Sequence, residues 1–389
     1  MPPSALLSKE LHLQNKGAYK IAAGFLPYVL YCLLGLHKVY APQYTNTMKA
    51  VLICMWVFAA QLFFTGHLKA QQAENTMLFR AYDDDDFFNI RGKGTDDAYT
   101  GGIRLDMFYT KNHKSRFLVD RVLPKAGDSA VNVFGWSVMQ MTFTPMDIRT
   151  PVPQPFDYPW SGSLFAIHSL YSYNREKKYD FQTELLLGMM GPASFAAQTQ
   201  TYIHQLIHYY KPLGWDNQLG NNPLVNVNFT AEKQIASQGN WLEVLAGGQA
   251  SVGTEMNSLV VYPMVRIGKM HPYFNGYLSQ YGTAKQHGVA KHRGGRVQAY
   301  IIIKPEVQLA LSNSLLQGGI FATNTHAANG IQMSTVPING LSTLVYQAYY
   351  GAVVSLGNFS LSFIQNSSTE WIKNTYSHEF GNVSLWFSW

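Results

Sequence analysis

Runs of about ten residues in which apolar and polar side chains alternate recur through this sequence after residue 76. In the clearest run, Ile303 and Val307 alternate with Lys304, Glu306 and Gln308. Because successive side chains of a strand point to opposite faces, such a run predicts a strand with one apolar and one polar face. About ten residues is also the length that a tilted strand needs to cross a bilayer.

Twelve segments of this kind are predicted, and clusters of Gly, Asn and Pro separate them as turns require. They lie near residues 78–84, 102–110, 135–143, 163–173, 180–190, 223–233, 240–253, 258–268, 298–311, 343–355, 357–366 and 378–389.

Composition decides between a soluble β-sandwich and a membrane barrel. Charged residues are only 13 % of the chain and aromatic residues 14 %, whereas a soluble domain carries about twice that share of charge. The polar faces of the runs hold mostly Asn, Ser, Gln and Gly, not the charges that the outer face of a sandwich needs. The chain is therefore predicted to be all-β, a transmembrane antiparallel up-and-down β-barrel of about twelve strands. The last run ends in Trp389, and a terminal aromatic residue is typical of proteins of the Gram-negative outer membrane.

One segment has a different period. From Ser194 to Tyr210 the apolar residues recur at helical spacing, and Pro192 lies just before the segment. We expect one helix here, inserted between strands 5 and 6, in a loop or over the mouth of the barrel.

The first seventy residues are predicted to lie outside the barrel. Met48 and Lys49 precede an apolar run that ends near Phe64, and Ala70 offers a small residue before Gln71, which is typical of a signal peptide. Residues 48–70 are interpreted as that signal peptide, residues 1–47 as a doubtful upstream leader, and residues 71–389 as the barrel domain. An uncleaved helical anchor is the alternative for the apolar run.

Charge and cysteine content exclude several kinds of function. The net charge of +6 comes largely from six lysines before Gln71, and the remainder holds 23 basic and 22 acidic residues. A nucleic-acid partner therefore has no overall electrostatic support. Both cysteines, Cys32 and Cys54, lie in the first seventy residues, so the barrel domain has no disulfide framework and no thiolate site.

Two features could carry chemistry. Residues 83–86 are four consecutive aspartates, followed by Asp96 and Asp97; hard oxygen ligands of this kind suit Ca²⁺, and a solvated acidic turn is the alternative. His204 and His208 lie four residues apart on the predicted helix and could share a face. They lack the glutamate of a zinc protease motif, and a surface or core role is the alternative for each.

In combination these segments resemble the outer-membrane lipid A 3′-O-deacylase (LpxR-like) family. The first matching stretch is FRAYDDDDFFNIRGKGTDDAYTGGIRL, residues 79–105, and the second joins Thr142, Pro145, Asp147 and Ile148 to residues 157–162. The most specific block joins Gly191, Pro192, Ser194, Gln198, Gln200 and His204 to Pro212 and the stretch GWDNQL, residues 214–219. Residues 368–371 and the closing strand complete the resemblance.

The resemblance implies a twelve-stranded barrel that hydrolyses the ester of the 3′-linked acyl chain of lipid A, with Ca²⁺ at the site. Carried over by position, His204 is the catalytic histidine, Asp85 the metal-site aspartate and Thr100 the active-site threonine. Asp84 stands where the family has Asn, and it keeps an oxygen ligand while adding charge. Arg149 corresponds to a basic residue that could hold a lipid A phosphate.

The implied partners are lipid A or lipopolysaccharide and the lipids of the outer membrane, and we expect a monomer. Two other functions stay open at this point. A non-enzymatic barrel, either a small pore or a structural protein, would show the same alternation, and a phospholipase could use the same metal and histidine chemistry on another acyl ester.

Overall fold

The computed structural model describes residues 77–91, 96–111, 115–281, 297–320 and 340–389. The predicted leader and signal peptide, residues 1–70, lie outside these residues, so the boundary near Gln71 stays a prediction. The described residues fall into two units: the larger contains the whole barrel, and the smaller is the end of one helix, His204–Tyr209.

Twelve strands of the described chain form one closed antiparallel barrel in which each strand pairs with its neighbours in sequence. This confirms the predicted fold. The strands are β1 (Met77–Asp85), β2 (Ala98–Thr110), β3 (Val131–Thr144), β4 (Ser161–Asn174), β5 (Tyr179–Met190), β6 (Asn222–Gln238), β7 (Leu242–Gly253), β8 (Met256–Lys269), β9 (Val297–Asn313), β10 (Leu344–Leu356), β11 (Phe359–Ser368) and β12 (His378–Ser388).

The barrel closes where β1 pairs with β12, from Leu78 opposite Ser388 to Asp85 opposite Gly381. Closure gives every strand two partners, which removes the unpaired edges of an open sheet. At Gly381 a Cβ atom would lie 2.4 Å from the backbone oxygen of Phe88. Only glycine at this position of β12 therefore leaves room for the backbone of Phe88, in the turn after β1.

The alternation in β9 separates the two faces of the wall as predicted. Ile303 and Val307 are exposed on the outer face, whereas Glu306 and Gln308 are buried in the lumen. Lys304 also faces inwards, where its ammonium lies 4.9 Å from the ring of Tyr262. An outer face of this kind suits contact with hydrocarbon chains, because the transfer of apolar side chains from water to hydrocarbon lowers the free energy.

In the part of the chain that the structure describes, four α-helices lie in the connections between strands: α1 (Leu118–Val122), α2 (Ala196–Ile207), α3 (Tyr277–Gln280) and α4 (Ser314–Gln317). The helix predicted between strands 5 and 6 is α2, so that prediction is confirmed. None of the described helices combines the length and the apolar character needed to span a membrane.

One end of the barrel, the terminal rim, carries the start of β1 and the end of β12. At this end residues 270–281, including α3, cross the lumen. The ring of Tyr277 lies 4.9 Å from that of Tyr171 and 4.8 Å from that of Phe108. The ring of Tyr281 stacks on Trp386 at 3.8 Å. We call residues 270–281 the plug.

Charged side chains fill the lumen beside the plug. Asp106 receives hydrogen bonds from Arg80 and Arg104, each at 2.6 Å, and Arg104 also contacts Glu184 at 2.7 Å. Buried charges persist only when they are paired in this way. The interior of this half of the barrel is therefore occupied by protein side chains.

Candidate functional site

The other end of the barrel, the distal rim, holds the segments in which site residues were predicted. β1 ends there with Asp84 and Asp85, and β2 begins there, two residues before Thr100. The connection between β3 and β4 carries Arg149, and the connection between β5 and β6 contains α2. The antiparallel topology alone brings these four segments to one end.

Asp84 is buried in a network of donors. Its Oδ2 accepts hydrogen bonds from the hydroxyl groups of Tyr82 at 2.5 Å and Tyr99 at 3.0 Å, and its Oδ1 accepts one from Nδ2 of Asn382 at 3.0 Å. The carboxylate thereby joins β1, β2 and β12. These contacts make Asp84 a residue that holds the closure of the barrel together.

The carboxylates after Asp84 shape the turn that follows β1. Oδ1 of Asp85 accepts a hydrogen bond from the backbone N–H of Phe87 at 2.7 Å, and Oδ2 of Asp86 accepts one from the N–H of Asp97 at 3.0 Å. Burial raises the pKa of Asp86 well above its ordinary value, and the nearby charges of Asp85 and Asp96 raise it further. Carboxyl groups are thus crowded together at this rim, and Asp86 favours its protonated form.

Carboxylate oxygens are the kind of ligand that a calcium ion prefers. Their geometry does not fit a calcium site, because no three His, Cys, Asp or Glu side chains of the described residues converge on a common point. The two predicted ligands also differ in how available their oxygens are. The two carboxylate oxygens of Asp84 together accept hydrogen bonds from three side chains, Tyr82, Tyr99 and Asn382. As they stand, the described residues do not form a calcium site around Asp84 and Asp85.

Thr100 lies at a β-bulge. The pairing of β2 with β3 shifts register between Tyr99 and Gly101, and Ala98 just before it has a left-handed φ of 52°. The hydroxyl of Thr100 is buried and lies 2.5 Å from that of Thr144. Bulges change the direction in which a side chain points and are frequent beside active sites. The local backbone therefore fixes Thr100 against β3.

Arg149 lies on the surface of the distal rim. Its side chain is 60 % exposed, and its Nε donates to Oδ1 of Asp147 at 2.9 Å. The guanidinium lies 5.4 Å from the ring centre of Tyr210. An exposed guanidinium near an aromatic ring can contact an approaching phosphate.

His204 lies in the last two turns of α2 and is buried, with 4 % of its surface exposed. Its imidazole packs edge-on against the ring of Tyr209, at a centroid distance of 5.2 Å. The helix ends here, because the N–H of Tyr209 bonds to the carbonyl of His204 at 2.8 Å and His208 adopts a left-handed φ of 56°.

The stretch of residues 214–219 acts as a scaffold for the start of α2. The indole Nε1 of Trp215 donates to Oε1 of Gln200 at 2.8 Å, and its ring packs against Trp160 at 5.0 Å. Nδ2 of Asn217 donates to the carbonyl of Pro151 at 2.8 Å. The most specific part of the sequence resemblance therefore ties the β5–β6 connection to the β3–β4 connection at the distal rim.

Gln200 and His378 have structural contacts that sequence reasoning did not assign. Nε2 of Gln200 is buried, and no hydrogen-bond partner for it occurs among the described residues. His378, the first residue of β12, places Nε2 3.0 Å from the carbonyl of Tyr99 and Nδ1 3.4 Å from Oδ1 of Asp97. Because a carbonyl oxygen only accepts, Nε2 carries a proton there. No pattern marks a lone histidine at a strand start, so only the fold could identify it.

An open cleft of about 440 Å³ lies elsewhere on the distal rim, between the β3–β4 and β11–β12 connections. Its lining includes Phe156, Asp157 and Tyr376, and none of the predicted site residues. Tyr376 donates a hydrogen bond to Asp157 at 3.0 Å, which joins the two connections across the cleft.

Comparison with known proteins agrees with this architecture. A family model described as "Outer membrane protein LpxR" matches residues 51–389. Among curated protein sequences, no significant match is found.

Among solved structures, the barrel is similar to LpxR from Salmonella typhimurium, with a TM-score of 0.62 and 17 % identity over 81 % of this chain and all of that one. The β domain of the Bordetella autotransporter BrkA has a TM-score of 0.39 and 9 % identity over 82 % of this chain and all of that one. The translocator domain of NalP from Neisseria meningitidis has a TM-score of 0.35 and 9 % identity, over 90 % and 99 % of the two chains.

Proposed function

The chain belongs to the LpxR family of outer-membrane proteins, and from that premise we propose that it is a hydrolase acting on lipid A. The reaction is removal of the ester-linked 3′ acyloxyacyl chain, with water as the nucleophile. The match of the family model over residues 51–389 carries this proposal, and the buried histidine of α2 supports it.

The protein lies in the outer membrane of a Gram-negative cell. Barrels of this membrane have short periplasmic turns and longer extracellular loops. Among the connections between the described strands, three of the five at the terminal rim are tight turns, namely β4–β5, β6–β7 and β10–β11, against one of the six at the distal rim, β7–β8. We therefore orient the distal rim towards the outer leaflet, where lipid A is located.

His204 is proposed as the general base. Histidine can take up and release a proton near neutral pH. Its imidazole would accept a proton from a water molecule while the water oxygen attacks the ester carbonyl carbon. The carbon–oxygen bond to the sugar then breaks, and the proton passes to the sugar oxygen. The products are a free carboxylic acid and a sugar hydroxyl, and no acyl-enzyme is formed.

Other residues of the distal rim have proposed roles in binding. Arg149, exposed on its loop, would hold a phosphate of lipid A through charge-assisted hydrogen bonds. Thr100, fixed by its bulge, would contact the reacting ester. Calcium is proposed on the family resemblance, with Asp85 as its main ligand and Asp84 in a supporting position. Because the described residues do not form that site, binding would require Asp85 and its neighbours to move together.

The plug argues against the non-enzymatic pore. Its aromatic residues and the paired charges beside it occupy the lumen of the terminal half, leaving side chains where a channel would need water. We expect purified protein in planar bilayers to show no steady conductance. Stepwise ion currents of uniform size would instead support the pore.

Mass spectrometry of lipid A tests the proposed activity directly. Lipid A from a Gram-negative host producing the wild-type protein should lack one acyloxyacyl unit that is present in cells with an empty vector. Unchanged lipid A, from cells in which the barrel is shown to be folded in the outer membrane, would contradict the proposal. Fatty acid released from purified phospholipid and not from lipid A would identify a phospholipase.

Two substitutions in α2 test the role of His204. His204→Ala should abolish deacylation, because the base is lost, while the barrel keeps its folded mobility on unheated gels. His208→Asn is the matched control: it changes the exposed histidine one turn further along and should keep wild-type activity. Equal activity of the two variants would rule out His204 as the base.

A further inference from the structure

The described part of the connection between β2 and β3 that follows residue 114 runs along the outside of the barrel wall. We call residues 115–126, which include α1, the strap. The N–H of Ala126 donates to Oγ of Ser172 on β4 at 3.0 Å, and Nδ2 of Asn174 donates to the carbonyl of Ala126 at 2.8 Å. These contacts fix the end of the strap near the terminal rim.

The residues beneath the strap face away from the lumen. Ser137 bonds to the lumenal Asp106, so its neighbour Trp136 points outwards. His168 lies directly opposite Trp136 in the pairing of β3 with β4 and shares its outward direction. The ring of Phe117 in the strap packs at 5.2 Å against that of His168.

A polar cluster holds the strap to the wall. Nε2 of His168 lies 2.6 Å from Oδ1 of Asp120, and Nζ of Lys111 donates to Oδ2 of Asp120 at 3.0 Å. Ser115 also donates to Asp120. Asp120 and His168 are both buried, which explains how a polar side chain can occupy the outward face of a membrane wall. The pairing keeps both groups away from lipid.

The outer face of the strap combines apolar and basic side chains. Leu118 is 71 % exposed and Val122 is 80 % exposed, and at four residues apart they lie on one face of α1. Arg116 and Arg121 are exposed beside them. An apolar stripe flanked by cations is typical of segments that lie in the headgroup region of a membrane.

We propose that the strap is a binding site for an anionic phospholipid of the periplasmic leaflet. Arg116 and Arg121 would contact the headgroup phosphate, since guanidinium groups match phosphate oxygens in charge and geometry. The acyl chains would lie along Leu118 and Val122 and continue onto the outward face of β3. Charge complementarity selects an anionic lipid over a zwitterionic one. The site is independent of the deacylation proposed for the distal rim.

Lipid binding by native mass spectrometry tests this site. Phosphatidylglycerol or phosphatidylcholine is titrated into the purified full chain in a neutral detergent. We expect the wild type to retain phosphatidylglycerol preferentially. The double variant Arg116→Gln/Arg121→Gln removes two basic residues from the lipid surface. It should weaken binding of phosphatidylglycerol about thirtyfold, since each basic residue near an anionic lipid surface contributes about fivefold to the affinity. Lys177→Gln, an exposed lysine in the β4–β5 turn of the same rim, should leave binding unchanged.

Three outcomes would overturn the proposal. These are equal binding of the two lipids by the wild type, unchanged binding by the double variant, and the same loss with Lys177→Gln, which would indicate attraction by the whole rim. Leu118→Ser/Val122→Ser serves as a second variant that keeps both arginines. It should weaken binding of long-chain phosphatidylglycerol more than that of a short-chain form, and an equal effect on both would contradict the proposed path of the acyl chains.

Discussion

Asp84 and Asp85 are neighbours in sequence with different surroundings in the fold. Successive residues of a strand face opposite sides, and the carboxylate of Asp84 is enclosed by Tyr82, Tyr99 and Asn382. Asp85 instead caps the turn after β1. A single ion therefore cannot contact both side chains equally unless the turn changes its conformation.

Terbium luminescence, as a probe for calcium sites, distinguishes the two aspartates. Asp85→Ala should weaken terbium binding and lower deacylation, because the main oxygen ligand is removed. Asp84→Asn should leave binding nearly unchanged, since the amide keeps the shape of the side chain and one accepting oxygen. A greater loss with Asp84→Asn would assign the ion to Asp84.

Glu255 is a buried carboxyl group in the tight turn between β7 and β8. It is 6 % exposed, and no ion pair to it occurs among the described residues. Burial raises its pKa from 4.5 to about 7. The folded barrel therefore favours the protonated form of Glu255, and ionisation of this carboxyl destabilises the fold.

This shift predicts a pH dependence of stability. Because the folded pKa is the higher one, the contribution is fully present below pH 4.5 and is lost as the pH rises to about 7. The free energy of unfolding therefore falls by about 3 kcal/mol over this range, at 1.36 kcal/mol per pKa unit. Urea unfolding in detergent between these pH values should show a smaller loss for Glu255→Gln than for the wild type. Parallel curves for the two proteins would show that Glu255 is not the titrating group.

At the scale of elements, α2 depends on the loops around it. Gly162 on β4 lies beneath its first turn, where a Cβ atom would approach that of Ala196 to 2.2 Å. Trp215 holds Gln200 from the other side. A small residue on the wall and one hydrogen bond thus fix where the helix begins.

Removing the indole donor should therefore impair the function of α2. Trp215→Phe keeps an aromatic ring against Trp160 but leaves Oε1 of Gln200 without its partner, which lowers the stability of α2 against local opening by about 1–3 kcal/mol. We expect a lower kcat for deacylation and an unchanged unfolding midpoint of the barrel. Trp241→Phe, an exposed tryptophan near the terminal rim, is the control and should keep full activity.

At the scale of the whole molecule, the wall separates lipid from a filled lumen. Val307 faces lipid and Gln308 faces the lumen, one residue apart on β9. A basic residue on the lipid face near the midplane costs about 2–4 kcal/mol. Lumenal polar partners such as Gln347, which bonds to Gln308 at 2.9 Å, can accommodate charge better.

Val307→Arg should consequently reduce folding into lipid vesicles much more than Gln308→Arg. The folded fraction can be measured by the mobility shift between heated and unheated samples. Equal folding of the two variants would contradict the register of β9.

Period-two alternation determined much of this protein without reference to structure. It identified the twelve strands and the faces of β9, because side-chain direction in a strand depends only on position along the chain. A change from period two to helical spacing identified α2, because side-chain direction in a helix also depends only on position along the chain. The low share of charged residues then predicted a membrane barrel, since charge on a lipid-facing wall is costly.

Contacts between distant segments required the tertiary structure. The enclosure of Asp84, the pairing of His378 with Asp97, and the plug each join residues far apart in sequence. No local pattern specifies such pairs, since they form only when closure brings strands and connections together. The strap shows the same limit: the sequence places His168 on a strand, but only the folded β2–β3 connection supplies Asp120 as the partner that lets a polar side chain face outwards.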